Sequence, residues 1–145
     1  SLGLDDNDFL YTGTLSDGDV GVEREVPHKV VSDLMHLSNL FVFPTMAEVC
    51  SNAMLEASIS RNLLVLNDDL PCLFDFVDES SVLRFPFSSN SNMHYSSRQE
   101  KDYDELAKKI IERLDANYVD RQFRYVWRRH SMEGVYNMLS RVLYE

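Results

Sequence analysis

The chain is poor in cysteine and glycine, has fewer basic than acidic residues, and lacks any long apolar run. Its 2 cysteines, Cys50 and Cys72, match no zinc or redox spacing, so we expect the reduced thiols of a cytoplasmic protein rather than a disulfide framework. The 4 histidines are scattered and are not paired with acids at ligand spacing, so neither a metal site nor a metal cofactor is expected.

The charge balance and the hydropathy exclude further classes of protein. Lys and Arg number 14 against 24 Asp and Glu, which gives a net charge of −10. Such an acidic chain repels phosphate backbones, so no nucleic-acid partner is expected, and an anionic membrane is disfavoured as the main partner. The densest apolar run, residues 37–44, is much shorter than the ~20 residues that span a bilayer. With 44% hydrophobic residues, a chain of 145 is suited to one folded domain.

The ends of the chain and its composition predict how that domain is organised. The sequence begins without methionine or a signal peptide, and its first strand signal comes within ten residues. We therefore expect residues 1–145 to be one excised domain whose upstream part is missing. Residues 86–101, rich in Ser and Asn, predict a mobile loop, and residues 102–145 predict the C-terminal helices.

Short apolar runs alternate with helical patterns. Strands are predicted at 9–12, 40–43, 63–66 and 82–85, and helices at 27–37, at 51–59 and, briefly, from 71 to 77. The runs at 40–43 and 63–66 are apolar at every position, which is typical of strands buried on both faces of a parallel sheet. The apolar positions of the second helix are Met54, Leu55 and Ile59. The fold class expected is α/β, a Rossmann-like parallel sheet with helices on both faces.

The loop after Phe43 and the helix that follows it carry two acids, Glu48 and Glu56, eight positions apart. Between them lie small polar capping residues and the unpaired amides of a helix N-terminus, which favour phosphate. Eight positions span ~12 Å at most, so the two carboxylates could hold the two ends of a nucleoside-diphosphate sugar by its hydroxyls. From the residues alone, two solvated glutamates of an acidic helix remain the alternative.

Four pieces of the chain resemble the C-terminal domain of retaining GT-B glycosyltransferases of family 4. They are residues 8–16 (DFLYTGTLS), 34–57 (LMHLSNLFVFPTMAEVCSNAMLEA), 62–77 (NLLVLNDDLPCLFDFV) and 130–145 (HSMEGVYNMLSRVLYE). Glu48 and Glu56 match the E-x7-E signature of that family. The resemblance implies the C-terminal half of a GT-B enzyme that is incomplete at its N-terminal side.

The resemblance also implies a role for each matching residue. Glu48 is expected to be catalytic and to face the donor sugar, while Glu56 binds the ribose hydroxyls. Three backbone amides are expected to hold the diphosphate, those of Val49, Cys50 and Ser51. Thr12 and Gly13 are expected to lie near the base.

The implied activity is transfer of a hexose from a nucleotide-sugar donor to a saccharide or lipid-linked acceptor in polysaccharide biosynthesis, without a cofactor. The missing N-terminal domain of the same chain would complete the site. The missing upstream strands would leave a sheet edge exposed, which would also permit self-association of the fragment. A cytoplasmic location is expected, with peripheral membrane attachment of the full-length protein as an option. The alternatives are a flavodoxin-like signalling or scaffold module and a degenerate glycosyltransferase domain without catalysis.

The chain departs from the family pattern at two places. Val49-Cys50-Ser51 replaces the usual Gly-Phe-Gly, and Arg61-Asn62-Leu63 replaces the usual Gly-x-Pro before the next strand. The basic residues that hold the diphosphate in the family come from upstream segments.

Other candidate residues have structural roles in our interpretation. His28 and His36 are expected at the surface or at helix ends, and Asp68-Asp69 in a cap or turn. The aromatic residues of the C-terminal helices are expected to pack, namely Phe123, Tyr125 and Trp127.

Overall fold

The computed structural model describes residues 26–49, 51–87, 102–114 and 116–144. The strand predicted at 9–12 and nearly all of the loop predicted at 86–101 lie outside these residues. The helices are α1 (His28–Leu37), α2 (Asn52–Ile59), α3 (Tyr103–Arg113), α4 (Ala116–His130) and α5 (Met132–Tyr144). The strands are β1 (Leu40–Phe43), β2 (Leu63–Asn67) and β3 (Leu83–Phe85), and short 3-10 helices cover Pro71–Phe76 and Glu79–Ser81.

The described strands form one parallel sheet in the order β1-β2-β3. Leu40 pairs with Leu63 and Val65 pairs with Leu83, so the register follows the apolar runs. The prediction of parallel strands at 40–43, 63–66 and 82–85 is confirmed. The bounds differ only in that β2 continues to Asn67 and β3 begins one residue later than predicted.

Helices cover both faces of the sheet, as predicted. Because side chains alternate along a strand, Leu64 and Leu66 enter a core with residues of α1 and α2, whereas Leu63 and Val65 enter a second core with α3. β2 is buried at every position, as its sequence predicts. β1 is not, since Val42 is exposed on this end strand of the described sheet.

The inward side of α2 differs from the prediction. α2 buries Met54, Ala57 and Ser58, while Leu55 is half-buried and Ile59 is exposed. The small residues face inward because α2 is also covered by α4, whose buried Gln122 donates to Ser58 Oγ at 3.2 Å. A second helix above α2 leaves room for alanine and serine there, and hydropathy alone does not reveal it.

A buried asparagine stands at each end of β2. At the carboxyl end, Asn67 is fully buried and its side chain contacts three loops. Its Nδ2 donates to the carbonyl of Thr45 at 2.9 Å, and its Oδ1 accepts from the amides of Phe87 at 3.1 Å and Asp69 at 3.3 Å. One side chain therefore joins the segments that follow β1, β2 and β3.

At the amino end of β2, Asn62 joins the two helices of one face. Its Nδ2 donates to the carbonyl of Met35 at 2.7 Å and to that of Ala57 at 3.3 Å. Its Oδ1 is buried without a hydrogen-bond partner among the described residues. The carbonyls that Asn62 meets lie near the C-terminal ends of α1 and α2, so both helices run opposite to the strands.

Arg61 adopts the left-handed backbone conformation, with φ of 63°. Its amide and that of Asn62 close the end of α2 by donating to the carbonyls of Ser58 at 3.2 Å and Ala57 at 3.0 Å, the pattern of a Schellman cap. Glycine usually fills this position. Here the arginine side chain reaches α4 instead, donating to Asp120 at 2.6 Å and lying 4.6 Å above the ring centroid of Phe123.

The C-terminal helices pack as layers outside the sheet. The spacing of Leu106, Ile110, Ile111 and Leu114 predicts one inward stripe for α3. Leu106 is buried against β3, whereas Ile111 and Leu114 are exposed and so are not part of that stripe. α4 packs on α2, and α5 begins directly after α4. Gly134 allows that close approach, because a Cβ there would overlap the carbonyl group of Arg128. None of the described helices combines the length and the apolar character needed to cross a membrane.

We predict that Asn67→Ala lowers the free energy of unfolding by about 3 kcal/mol, since it leaves one carbonyl and two amides, all partly buried, without a partner. Urea unfolding followed by far-UV circular dichroism measures this change. Asn52→Ala is the control, because Asn52 is exposed at the start of α2. Equal effects of the two substitutions would contradict the role of Asn67.

We also predict that Arg61→Gly is about 1 kcal/mol more stable than Arg61→Ala, because both lose the contacts to α4 but only glycine adopts positive φ without strain. Thermal unfolding of the two variants measures the difference. An alanine variant as stable as the glycine variant would mean that the backbone at Arg61 is unstrained.

Candidate functional site

The predicted site lies at the carboxyl edge of the sheet. Because α1 and α2 run opposite to the strands, their N-termini point toward the edge where β1, β2 and β3 end. In parallel α/β sheets this edge is where ligands bind. The loop of residues 44–49 leaves β1 at this edge and leads into α2.

The loop that carries Glu48 is fastened through its backbone. Asn67 holds the carbonyl of Thr45, and Cys72 Sγ donates to the carbonyl of Glu48 at 3.2 Å. Thr45 Oγ1 also donates to the carbonyl of Ala47 at 3.0 Å. The Glu48 side chain is half-buried, and that of Val49 is exposed. The backbone position of Glu48 is thus set by contacts that leave its carboxylate out of the fastening.

Ser51 caps α2, which decides between Ser51 and Asn52, the two capping residues that the sequence allows. It is buried, and its Oγ accepts from the amide of Met54 at 3.2 Å, while its carbonyl accepts from Leu55 at 3.2 Å. The remaining first-turn amides, those of Asn52 and Ala53, have no acceptor within the helix. These amides and the helix dipole make the N-terminus of α2 favourable for an anion.

Glu56 lies inside α2 on the side next to α1. Its side chain is 39% exposed, and its Oε1 lies 3.3 Å from Nε2 of His28, whose own side chain is 79% exposed. Because a carboxylate only accepts, Nε2 carries the hydrogen in this contact. One oxygen of Glu56 is thereby engaged by the first residue of α1.

His28 is the site residue that sequence reasoning missed. Its placement at a helix end is confirmed, as is that of His36, whose Nδ1 lies 2.7 Å from the carbonyl of Ser32. Pro27 at the start of α1 and the alternation of strands and helices indicate that two helix N-termini share one edge. The lateral spacing of those helices, which brings His28 to Glu56, depends on packing and has no signature in the sequence.

The remaining candidates have structural contacts. Asp68 accepts from Nε of Arg84 at 2.6 Å, and the Asp69 amide donates to Asn67, which confirms a turn role. Phe123 and Trp127 stack with ring centroids 6.0 Å apart. Within the part of the chain that the structure describes, no group of three or more His, Cys, Asp or Glu side chains is arranged to hold a metal ion. Three predicted site residues lie outside that part, namely Thr12, Gly13 and Cys50.

Comparison of the chain with protein-family models, with curated proteins and with solved structures gives no match. The resemblance to glycosyltransferases therefore rests on the matching sequence pieces alone. What the structure adds is the α/β fold with its parallel sheet and the arrangement of Glu48, Ser51 and Glu56 around one helix end.

We predict that Ser51→Ala lowers the free energy of unfolding by about 1 kcal/mol, because the amide of Met54 loses its acceptor. Ser51→Asp should restore most of that loss, since aspartate also caps helices. Chemical denaturation compares the variants, with Ser60→Ala at the other end of α2 as the control. A loss as large for Ser60→Ala would show that the cap is not the cause.

Proposed function

We propose that this chain is the donor-binding domain of a retaining GT-B glycosyltransferase that transfers a hexose from a nucleoside-diphosphate sugar to a saccharide or lipid-linked acceptor. The observation that supports the proposal is the placement of Glu48 and Glu56 on either side of the capped N-terminus of α2, at the carboxyl edge of a parallel sheet. In this proposal the donor is a nucleotide sugar and the protein is cytoplasmic.

The proposed chemistry assigns one part of the donor to each group. When the bond between the hexose and the diphosphate breaks, negative charge grows on the departing phosphate. The amides predicted to hold the diphosphate, those of Val49, Cys50 and Ser51, are joined in this proposal by those of Asn52 and Ala53. These amides and the helix dipole stabilise that charge without reorganising, which is electrostatic catalysis. No metal or cofactor takes part in the proposed step.

The two glutamates differ in what they hold. Glu56 Oε1 meets His28, so Oε2 is left to accept hydrogen bonds from the ribose hydroxyls. Glu48 lies in the loop between β1 and α2 and is half-buried, which suits it to the hexose at the other end of the donor. Because both acids act by accepting from hydroxyls, their effects separate by ligand: the bare nucleotide contains the ribose but not the hexose.

We predict that Glu56→Ala weakens binding of the bare nucleoside diphosphate about 30- to 1000-fold, equivalent to roughly 2–4 kcal/mol for two charge-assisted hydrogen bonds. Glu48→Ala should leave bare nucleotide binding within about threefold. Saturation-transfer NMR with UDP, GDP and ADP measures this, because it detects millimolar affinity and needs no acceptor domain.

Two outcomes of this titration contradict the proposal. Equal losses for Glu48→Ala and Glu56→Ala would refute the division of roles. A protein that binds none of the three nucleotides, at concentrations up to about 10 mM, would favour the alternative of a scaffold or degenerate domain.

We predict that His28→Ala weakens nucleotide binding about three- to tenfold, because Glu56 then rotates freely between its rotamers. His28→Gln should stay within about twofold of the wild type, since the glutamine amide can also donate to Glu56. His36→Ala is the control on the same helix. An equal loss in His36→Ala would indicate that the stability of α1, rather than the contact with Glu56, sets the affinity.

A further inference from the structure

Positive charge in this acidic chain is concentrated on one side of α4. Residues 121–130 contain four arginines and no acidic residue, although the chain has a net charge of −10. At 3.6 residues per turn, Arg121, Arg124 and Arg128 lie on one side of the helix with Arg129 beside them. Val126, on the other side, is buried. We call the surface formed by these four arginines the arginine face.

The arginine face borders a shallow groove of about 830 Å³ between α4 and the segment around Asp78. Tyr118, Tyr125, Asn117 and Asp120 complete its lining, and none of the residues of the proposed donor site takes part. Partial burial raises the pKa of Asp78, but hydrogen bonds from Ser80 and the charge of Arg121 outweigh it and hold that pKa below its usual value. Asp120 is paired with Arg61, so the groove remains positive overall.

The four members of the arginine face differ in whether they contact other side chains of the protein. Arg121 donates to Ser80 Oγ at 3.2 Å, and Arg129 donates to the Tyr125 hydroxyl at 2.5 Å. Within the described residues, Arg124 and Arg128 make no hydrogen bond or ion pair. Among the described residues no carboxylate pairs with Arg124 or Arg128, so both guanidinium groups can take an anion supplied from outside.

We propose that the arginine face docks this protein on the anionic headgroups of a membrane. Guanidinium groups bind phosphate oxygens in a bidentate manner, and four of them along two helical turns match a surface of many phosphates better than a single small anion. The proposal is independent of the glycosyltransferase activity, because no residue is shared between the two sites.

Exposed aromatic and apolar side chains close to the arginines in sequence favour lipid over nucleic acid. Trp127, between Arg124 and Arg128 in sequence, is 45% exposed, and at the start of α5 Met132 is 87% and Tyr136 70% exposed. Such groups beside positive charge suit the boundary between headgroups and acyl chains. The tyrosines of the groove are less suited to stacking on bases, because Arg121 and Arg129 lie 5.9 Å and 4.9 Å from the ring centroids of Tyr118 and Tyr125.

The net negative charge of the chain does not oppose this docking as strongly as its total suggests. At physiological ionic strength charges are screened over about 8 Å, so a flat bilayer experiences mainly the face that touches it. The sequence-based expectation that an anionic membrane is disfavoured averages the charge over the whole surface. The arginine face is the local exception to that average.

The test is co-sedimentation of the 145-residue chain with large vesicles of phosphatidylcholine and phosphatidylglycerol at a ratio of about 3:1, and with pure phosphatidylcholine vesicles. Trp127 is the only tryptophan, so its emission reports contact with lipid directly. The double variant Arg124→Gln/Arg128→Gln removes the two unpaired arginines. Lys108→Gln/Lys109→Gln on α3 removes the same charge elsewhere and is the matched control.

We expect binding to the anionic vesicles with a blue shift of the Trp127 emission, and a partition coefficient about 25-fold lower for the arginine double variant, or about fivefold per arginine. The lysine variant should change less than twofold per charge, and the circular dichroism of both variants should match that of the wild type. Equal losses in the two double variants would overturn the proposal. So would equal binding to both vesicle types, no binding to either, or tighter binding to a duplex DNA oligonucleotide at the same salt concentration.

Discussion

The hydrogen bonds of the buried Asn67 side chain are the constraint on which the carboxyl edge of this protein depends. One amide joins the segments after all three described strands, so the loop that carries Glu48 is fixed relative to the ends of β2 and β3. Asn62 does the equivalent at the other end of β2, where it connects α1 with α2. The two asparagines that flank the central strand thus fix the position of the loop with Glu48 and the position of α2, the helix that follows this loop.

In this arrangement, the groups that hold the loop and α2 in place differ from the groups that we propose bind the ligand. The loop is fastened through the carbonyls of Thr45 and Glu48, and α2 is fastened through Met54, Ala57 and the Ser51 cap. The carboxylate of Glu48 takes no part in these contacts, and that of Glu56 meets the exposed His28 side chain. Acids that contribute little to folding can be devoted to a ligand, which is the physical reason for our proposal that they hold the two ends of a nucleotide sugar. The arginine face of α4 is built in the same way, on a helix anchored from its buried side.

The sequence predicted the three described strands because runs such as 63–66 are apolar at every position, a pattern typical of strands buried in a parallel sheet. It also predicted the bounds of α1 and α2 to within one residue, but not those of the separate C-terminal helices. It predicted a cap at Ser51 or Asn52 as well, because a cap depends on neighbours in the chain. Asn62 and Asn67 gave no such signal: in the sequence each is a polar residue beside a turn. Their role, like the contact of His28 with Glu56 and the tolerance of Arg61 for positive φ, arises from segments that are distant in sequence and adjacent only after packing.

The central claim is that a nucleoside diphosphate binds at the N-terminus of α2, and amide chemical-shift mapping tests it most directly. Uniformly ¹⁵N-labelled protein is titrated separately with UDP, GDP and ADP. Our account predicts that, for at least one of them, the largest saturating shifts belong to Asn52, Ala53 and the loop at Glu48, with smaller shifts at His28. The absence of shifts with all three nucleotides, or shifts confined to the arginine face of α4, would contradict it.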